Sequence, residues 1–234
     1  MKLIFRTLLT IAIVAGAFTA YNKYVKLTKY EFNTYKQLNL PDYNVNQDLS
    51  PKIGVPLVAL KTKTGEIFCS GTVISDDYVL TAAHCLMNHD QFIPGMTEDE
   101  IFISDATDSA YSSGYAVALN QRADVALIKG SFRSFSKAQV MLKASDLMKL
   151  TGPFVTCGFP RGETKSSCFP TGNFHIYGDH LASSGLMFFG MSGGPTVDLM
   201  TGIVFAVNTA VGDGIIVSPV VGLFQMFGIK IINQ

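Results

Sequence analysis

From residue 55 onward the chain alternates short apolar runs with turn residues. Residues 55–60 form one run and Thr64-Gly65 a turn. Residues 67–74 form the next run, closed by Asp76-Asp77, and residues 78–81 a third. Residues 101–103, 115–119 and 125–129 continue the pattern, and no long segment has a 3.6-residue period, so these runs predict β-strands. Residues 132–150 lack strand alternation and read as a connector. A second set of runs follows at 154–157, 166–169, 173–177, 186–189, 203–208 and 215–218. Residues 220–227 carry apolar positions at helical spacing. The pattern predicts an all-β protein with two β-barrels, one over about 51–145 and one over about 150–218, and a short helix over about 219–229.

The N-terminus breaks this pattern. Lys2 and Arg6 precede an uncharged stretch from residue 7 to 22, and Ala15-Gly16-Ala17 has the small residues of a cleavage site. Residues 1–20 therefore read as a signal peptide or as an uncleaved signal anchor. At 16 residues the uncharged stretch is shorter than the roughly 20 that span a bilayer. Residues 21–50 are polar and tyrosine-rich and read as a linker or arm leading to a domain over 51–234. Both leader readings put that domain outside the cytoplasm, either exported or anchored through residues 7–22.

Composition narrows the function. Net charge is zero and 15% of residues are charged, so there is no basic footprint for nucleic acid. Four cysteines fall as Cys69 and Cys85, 16 apart, and Cys157 and Cys168, 11 apart. The local pairing makes two disulfides, which suits an oxidising compartment. No C-x-x-C or clustered Cys/His spacing points to zinc, and no cofactor motif is present. The expectation is no metal and no cofactor. Nothing in the sequence sets the oligomeric state.

Candidate chemistry lies in three segments. Gly190-Met191-Ser192-Gly193-Gly194-Pro195 reads as a serine nucleophile in a glycine-rich turn whose backbone N–H groups, from Gly190 and Ser192, can face an oxyanion. Thr81-Ala82-Ala83-His84-Cys85 offers a base, and Asp124, at the start of an apolar run, an acid that needs a partner. His89 falls in a polar loop, and His175 and His180 have no comparable frame. An α/β-hydrolase would place its histidine after the serine, but His180 is the last histidine. The order His84, Asp124, Ser192 is that of a chymotrypsin-type triad.

These three segments together resemble the trypsin/chymotrypsin superfamily over roughly residues 51–220. The resemblance implies two six-stranded antiparallel β-barrels, a disulfide between Cys69 and Cys85 flanking the histidine, and a serine endopeptidase acting on protein or peptide substrates. In the second half, Gly158-Phe159-Pro160 resembles a turn of glutamyl-endopeptidase-like enzymes, and Val207-Asn208-Thr209-Ala210 a segment of the Deg/HtrA proteases. Met191 replaces the aspartate that trypsin-type zymogens pair with a new N-terminus, which implies competence without that switch. Leu186, Met187, Thr209 and Ala210 then stand as a specificity pocket for apolar or small side chains, with no preference for Lys or Arg; His175 is a lesser candidate for an acidic side chain. Asn208 is either a group supporting Asp124 or an ordinary strand residue. The competing function is a catalytically silent binding or assembly protein on the same fold.

Overall fold

A computed structural model describes residues 56–87, 101–105, 110–141, 150–211 and 214–220. The expected N-terminal signal or anchor, the 21–50 arm and nearly all of the expected C-terminal helix lie outside them. Among the described residues, no helix is long and apolar enough to cross a membrane.

The first half forms a closed six-stranded barrel. Its strands are β1 (Leu57–Lys61), β2 (Ile67–Val73), β3 (Tyr78–Thr81), β4 (Ile101–Asp105), β5 (Tyr111–Asn120) and β6 (Val125–Gly130), in the order β1-β2-β3-β6-β5-β4. All the pairs are antiparallel, and β1 closes the barrel on β4. Closure removes sheet edges, and the interior fills with alternate side chains. Val58, Leu60, Val79, Ile103, Ile128 and Phe132 make that core. In β5 the register shifts between Ala116 and Ala118, so Val117 is the extra residue of a bulge and lies exposed.

The second half is a seven-stranded sheet. Its strands are β7 (Phe154–Gly158), β8 (Ser167–Thr171), β9 (His175–Tyr177), β10 (His180–Ser183), β11 (Pro195–Asp198), β12 (Val204–Val211) and β13 (Ile215–Pro219). They run in the order β8-β7-β11-β12-β13-β10-β9, one strand more than the expected six. The extra strand is one arm of the short hairpin β9–β10, which extends the sheet at its edge. An isolated bridge between Thr171 and Gly185 brings the β8 edge to the chain leaving β10, which curls the sheet toward closure. The expected strand over 186–189 is instead an irregular loop and turn. Its apolar residues face a cleft and other rings, not a strand ladder. The short strand β11, beginning at a proline beside glycines, carries too few residues to show a period. The core centres on Phe205, stacked edge-on against Phe154 at 5.3 Å and Phe174 at 5.5 Å.

Two disulfides, Cys69–Cys85 and Cys157–Cys168, are present as expected. The first ties β2 to the turn after β3. The second ties the paired strands β7 and β8 at directly opposed positions. Both suit an oxidising environment.

Because Phe205 is buried and carries two ring contacts, Phe205→Ala is expected to destabilise the protein by about 3–5 kcal/mol. Denaturant unfolding monitored by circular dichroism measures this.

Candidate active site

Asp124 ends the turn that joins β5 to β6. Asn120 Oδ1 accepts the Ala123 N–H at 3.1 Å and Gln121 O the Asp124 N–H at 3.3 Å. Asp124 itself has φ +50°, a left-handed conformation that Asp tolerates better than most residues. This turn aims the carboxylate at the one-turn 3₁₀ helix Ala83–Leu86. Oδ1 accepts the His84 backbone N–H at 2.8 Å, and Oδ2 lies 2.8 Å from His84 Nδ1. One carboxylate thus holds both the main chain and the ring of the same histidine. With Nδ1–H donating to Asp124, the lone pair of the neutral imidazole sits on Nε2. His84 is 45% exposed and Asp124 21%, so the ring is oriented but open to solvent.

The backbone of the loop 190–194 is held by hydrogen bonds to two other segments, β2 and β12. Ser70 on β2 is fully buried. Its Oγ donates to Gly190 O at 2.6 Å and accepts the Phe159 N–H at 2.9 Å, while its N–H donates to Ser192 O at 2.8 Å. Asn208 on β12 holds the loop from the other side. Its Nδ2 donates to Cys157 O at 2.8 Å and Met191 O at 3.1 Å, and its Oδ1 accepts from Thr196 Oγ1 at 2.9 Å. The Gly193 N–H donates to Asn208 O, and the Asn208 N–H to Gly194 O. Of the two sequence readings of Asn208, the strand residue is the one seen, on β12, though it is not an ordinary one. It is a buried polar hub beneath the serine loop, and its side-chain bonds go to Met191 of that loop, to Cys157 and to Thr196, not to Asp124.

Glycine at 193 follows from space as well as from φ +81°: a Cβ there would collide with Thr81 Oγ1 and the Ser70 carbonyl. Met191 fills the loop's underside. It is fully buried, lies where a Cβ on Gly158 would point, and its Sδ accepts the Phe188 N–H at 3.4 Å.

Phe189 O accepts the Arg161 N–H at 2.5 Å. Since carbonyl and N–H of one peptide point in opposite directions, this bond sets the heading of the Gly190 N–H. Among the described residues, the Gly190 and Ser192 N–H groups have no acceptor. They are two unspent donors, two residues apart. The Ser192 hydroxyl makes no hydrogen bond to His84 Nε2; catalytic contacts of this kind often close only around a substrate.

Ser192 and His84 line one cleft of about 770 Å³ with Gly190, Met187, Thr209 and Ala210. Of the expected pocket residues, Leu186 is the exception. It is not among the cleft-lining residues, and its carbonyl accepts from Thr156 Oγ1 at 3.4 Å; the chain at 186–189 is a loop and turn and not the expected strand. Phe188, Phe189 and Arg161 line the cleft and were not legible as site residues. Phe189 is 93% exposed. The Arg161 guanidinium lies 4.9 Å over the Phe188 ring, a cation–π contact. Only its place beside Gly158-Phe159-Pro160 could have drawn notice to Arg161. His175 lies on exposed β9, outside this cleft, and His180 Nδ1 pairs with Ser218 Oγ at 2.7 Å.

A two-bodied β protein with a Ser, His and Asp on three loops between its strands has the layout of a trypsin-like peptidase. The model of the trypsin-like peptidase domain family matches residues 69–207, and the chain belongs to that family. Over 66 residues it is 35% identical to trypsin theta of Drosophila melanogaster, a stretch covering 28% of this chain and 22% of that protein. The fold is shared with a serine endoprotease from Yersinia pestis, with TM-score 0.56 and 18% identity over 75% of this chain and 62% of that one. It is shared too with the active form of the M. tuberculosis protease Rv3671c, with TM-score 0.55 and 19% identity over 75% and 80% of the two chains. The chain thus spans under a quarter of the length of the fly trypsin and less than two thirds of the Yersinia enzyme.

Ser70→Ala would leave the buried Phe159 N–H without its acceptor and free Gly190 O. The expected cost is about 1–3 kcal/mol, read by denaturant unfolding, with faster hydrogen exchange at the Phe159 amide.

Proposed function

We propose that the chain is a serine endopeptidase in which Ser192 is the nucleophile, His84 the general base and Asp124 the group that orients it. The observation that carries this reading is the double hold of Asp124 on His84, both at 2.8 Å, in a cleft shared with Ser192. A carboxylate on Nδ1–H leaves Nε2 as the basic nitrogen and stabilises the imidazolium formed when it takes the Ser192 proton. Ser192 Oγ attacks the substrate carbonyl, and negative charge develops on the carbonyl oxygen. The unspent Gly190 and Ser192 N–H donors receive that charge. His84 then protonates the leaving amine, and water hydrolyses the acyl-enzyme by the same route in reverse.

The substrate is a protein or peptide. Met187, Thr209 and Ala210 support a primary pocket for apolar or small side chains. The nearby Arg161 guanidinium disfavours Lys and Arg, and among the described residues no carboxylate lines the cleft to receive them. The buried thioether of Met191, packed against Gly158, supports competence without a newly cut N-terminus: apolar packing does there what an ion pair does in trypsin-type zymogens. The two disulfides support work in an oxidising compartment, with the leader over residues 1–20 serving for export or anchoring.

A fluorophosphonate probe is expected to label the wild-type protein and not Ser192→Ala, whose kcat should fall on the order of 10^6-fold. Asp124→Asn should lose about 10^4-fold through the wrong imidazole tautomer. Equal labelling of wild type and Ser192→Ala would favour the silent binding protein. In a peptide library, cleavage is expected after apolar or small residues, and efficient cleavage after Lys or Arg would refute the pocket assignment.

A further inference from the structure

Arg161 lines the cleft that holds Ser192, and among the described residues its guanidinium has no carboxylate partner, Glu163 two residues on included. The exposed Arg122 and Lys137, by contrast, are each paired with an aspartate. The Arg161 side chain is held in place all the same. Its guanidinium lies 4.9 Å over the Phe188 ring, and that ring is itself fixed edge-on against Phe169 at 5.5 Å. A cation–π contact engages the face of the guanidinium and leaves its N–H groups to an acceptor.

The backbone of Arg161 is equally committed. It has φ +57°, a left-handed conformation that is unfavourable for a residue with a long side chain. Its N–H donates to Phe189 O at 2.5 Å. Glycine would occupy this position without strain, so an arginine held there is explained if its side chain serves the cleft.

The neighbours of the turn 160–162 indicate which part of a substrate meets it. In the peptidase reading, the acyl side chain points at Met187 and at Thr209 and Ala210 of β12. The leaving half departs past His84, which protonates its amine, toward Phe68 and the Cys69–Cys85 disulfide in the same cleft. The turn that carries Arg161 packs on this second region. A Cβ on Gly162 would press on the Ile67 carbonyl, one residue before Phe68, and Ser70 Oγ of the same strand accepts the Phe159 N–H. A Cβ on Gly190 would collide with Phe159 O and crowd Arg161 N, so the turn also backs the proposed oxyanion donor.

We propose that Arg161 binds a carboxylate carried by the leaving half of the substrate, on one of the first residues after the cleaved bond. The inference rests on the proposed peptidase reading and deepens it by naming a second specificity contact on the far side of that bond. A planar guanidinium pairs with a carboxylate through two parallel N–H···O bonds. Because the residue is exposed and the cleft is open to water, the gain is modest and falls as salt rises. An Asp or Glu side chain and a free chain terminus both present this group.

The test uses the full chain carrying Ser192→Ala, which binds peptide without cleaving it. Fluorescent peptides share one apolar residue before the scissile bond and differ only after it. One set has Glu or Gln at the first or second following position with an amidated terminus. A shorter set places a free or an amidated terminus there. In anisotropy titrations, a carboxylate peptide is expected to bind about 3–10-fold tighter than its neutral twin, and the two sets tell whether a side chain or a terminus is read. Adding Arg161→Gln should erase the difference, Arg161→Lys should keep part of it, and Arg161→Glu should favour a Lys peptide over the Glu one. Each ratio is taken within one variant, so a general loss of folded protein cancels. Absent or equal binding of every carboxylate peptide and its twin, or a difference that survives Arg161→Gln, overturns the proposal. Because binding needs no hydrolysis, the two readings fail separately. A wild-type protein that never takes the fluorophosphonate label, while its Ser192→Ala form shows the Arg161-dependent difference, refutes the peptidase and keeps the carboxylate site. One that labels while both twins bind equally refutes the role of Arg161.

Discussion

One buried hydroxyl joins the two halves of this molecule at the point where chemistry is proposed. Ser70 belongs to the first barrel, yet its Oγ bonds Gly190 O and the Phe159 N–H of the second half, and its N–H bonds Ser192 O. A loop of consecutive glycines has the largest conformational entropy to lose on folding. Here that freedom is removed by contacts from β2 on one side and from Asn208 on the other. Both are polar groups with no exposure, and such groups are stable only when their partners are in place. The loop geometry is therefore a property of the contact between the two bodies and of neither alone.

The rest of the site hangs on the same frame. Thr81, at the end of β3, donates to the Ser70 carbonyl at 2.8 Å, and the chain then turns through Ala83–Leu86 to present His84. The Cys69–Cys85 disulfide closes that turn back onto β2 next to Ser70. Asp124 reaches the same turn from the β5–β6 connection in a left-handed conformation. Three loops, each anchored to a strand of a closed barrel, converge where a single loop would wander. Closure of the first barrel gives the histidine and aspartate a rigid base. The curled second sheet supplies the serine and the cleft wall.

What was legible in the chain was whatever depends on residue type and order. Short apolar runs separated by turn residues indicated strands because the two faces of a strand alternate in environment. The order His84, Asp124, Ser192 selected one arrangement among several that share a G-x-S-x-G turn, because chain order reflects which loops of a fold meet. The strand expected over 186–189 failed for a physical reason: Met187 and Phe188 are apolar because they face a cleft and other rings, which a periodicity argument cannot tell from a sheet. Leu186 fell outside the cleft for the same reason. Arg161 and Ser70 gave no signal, since an arginine in a Gly-Pro turn and a serine in a strand are ordinary residues until their neighbours are known.

The sequence by itself indicated the β architecture, a local cysteine pairing and three candidate residues for acyl transfer. Those follow from local alternation, short loops and functional-group identity. Only the tertiary structure decided that Asp124 grips both the ring and the backbone of His84 and that Asn208 serves the serine loop. Each of these joins segments far apart in the chain, and such meetings are set by how sheets close and pack. No spacing along the sequence records them.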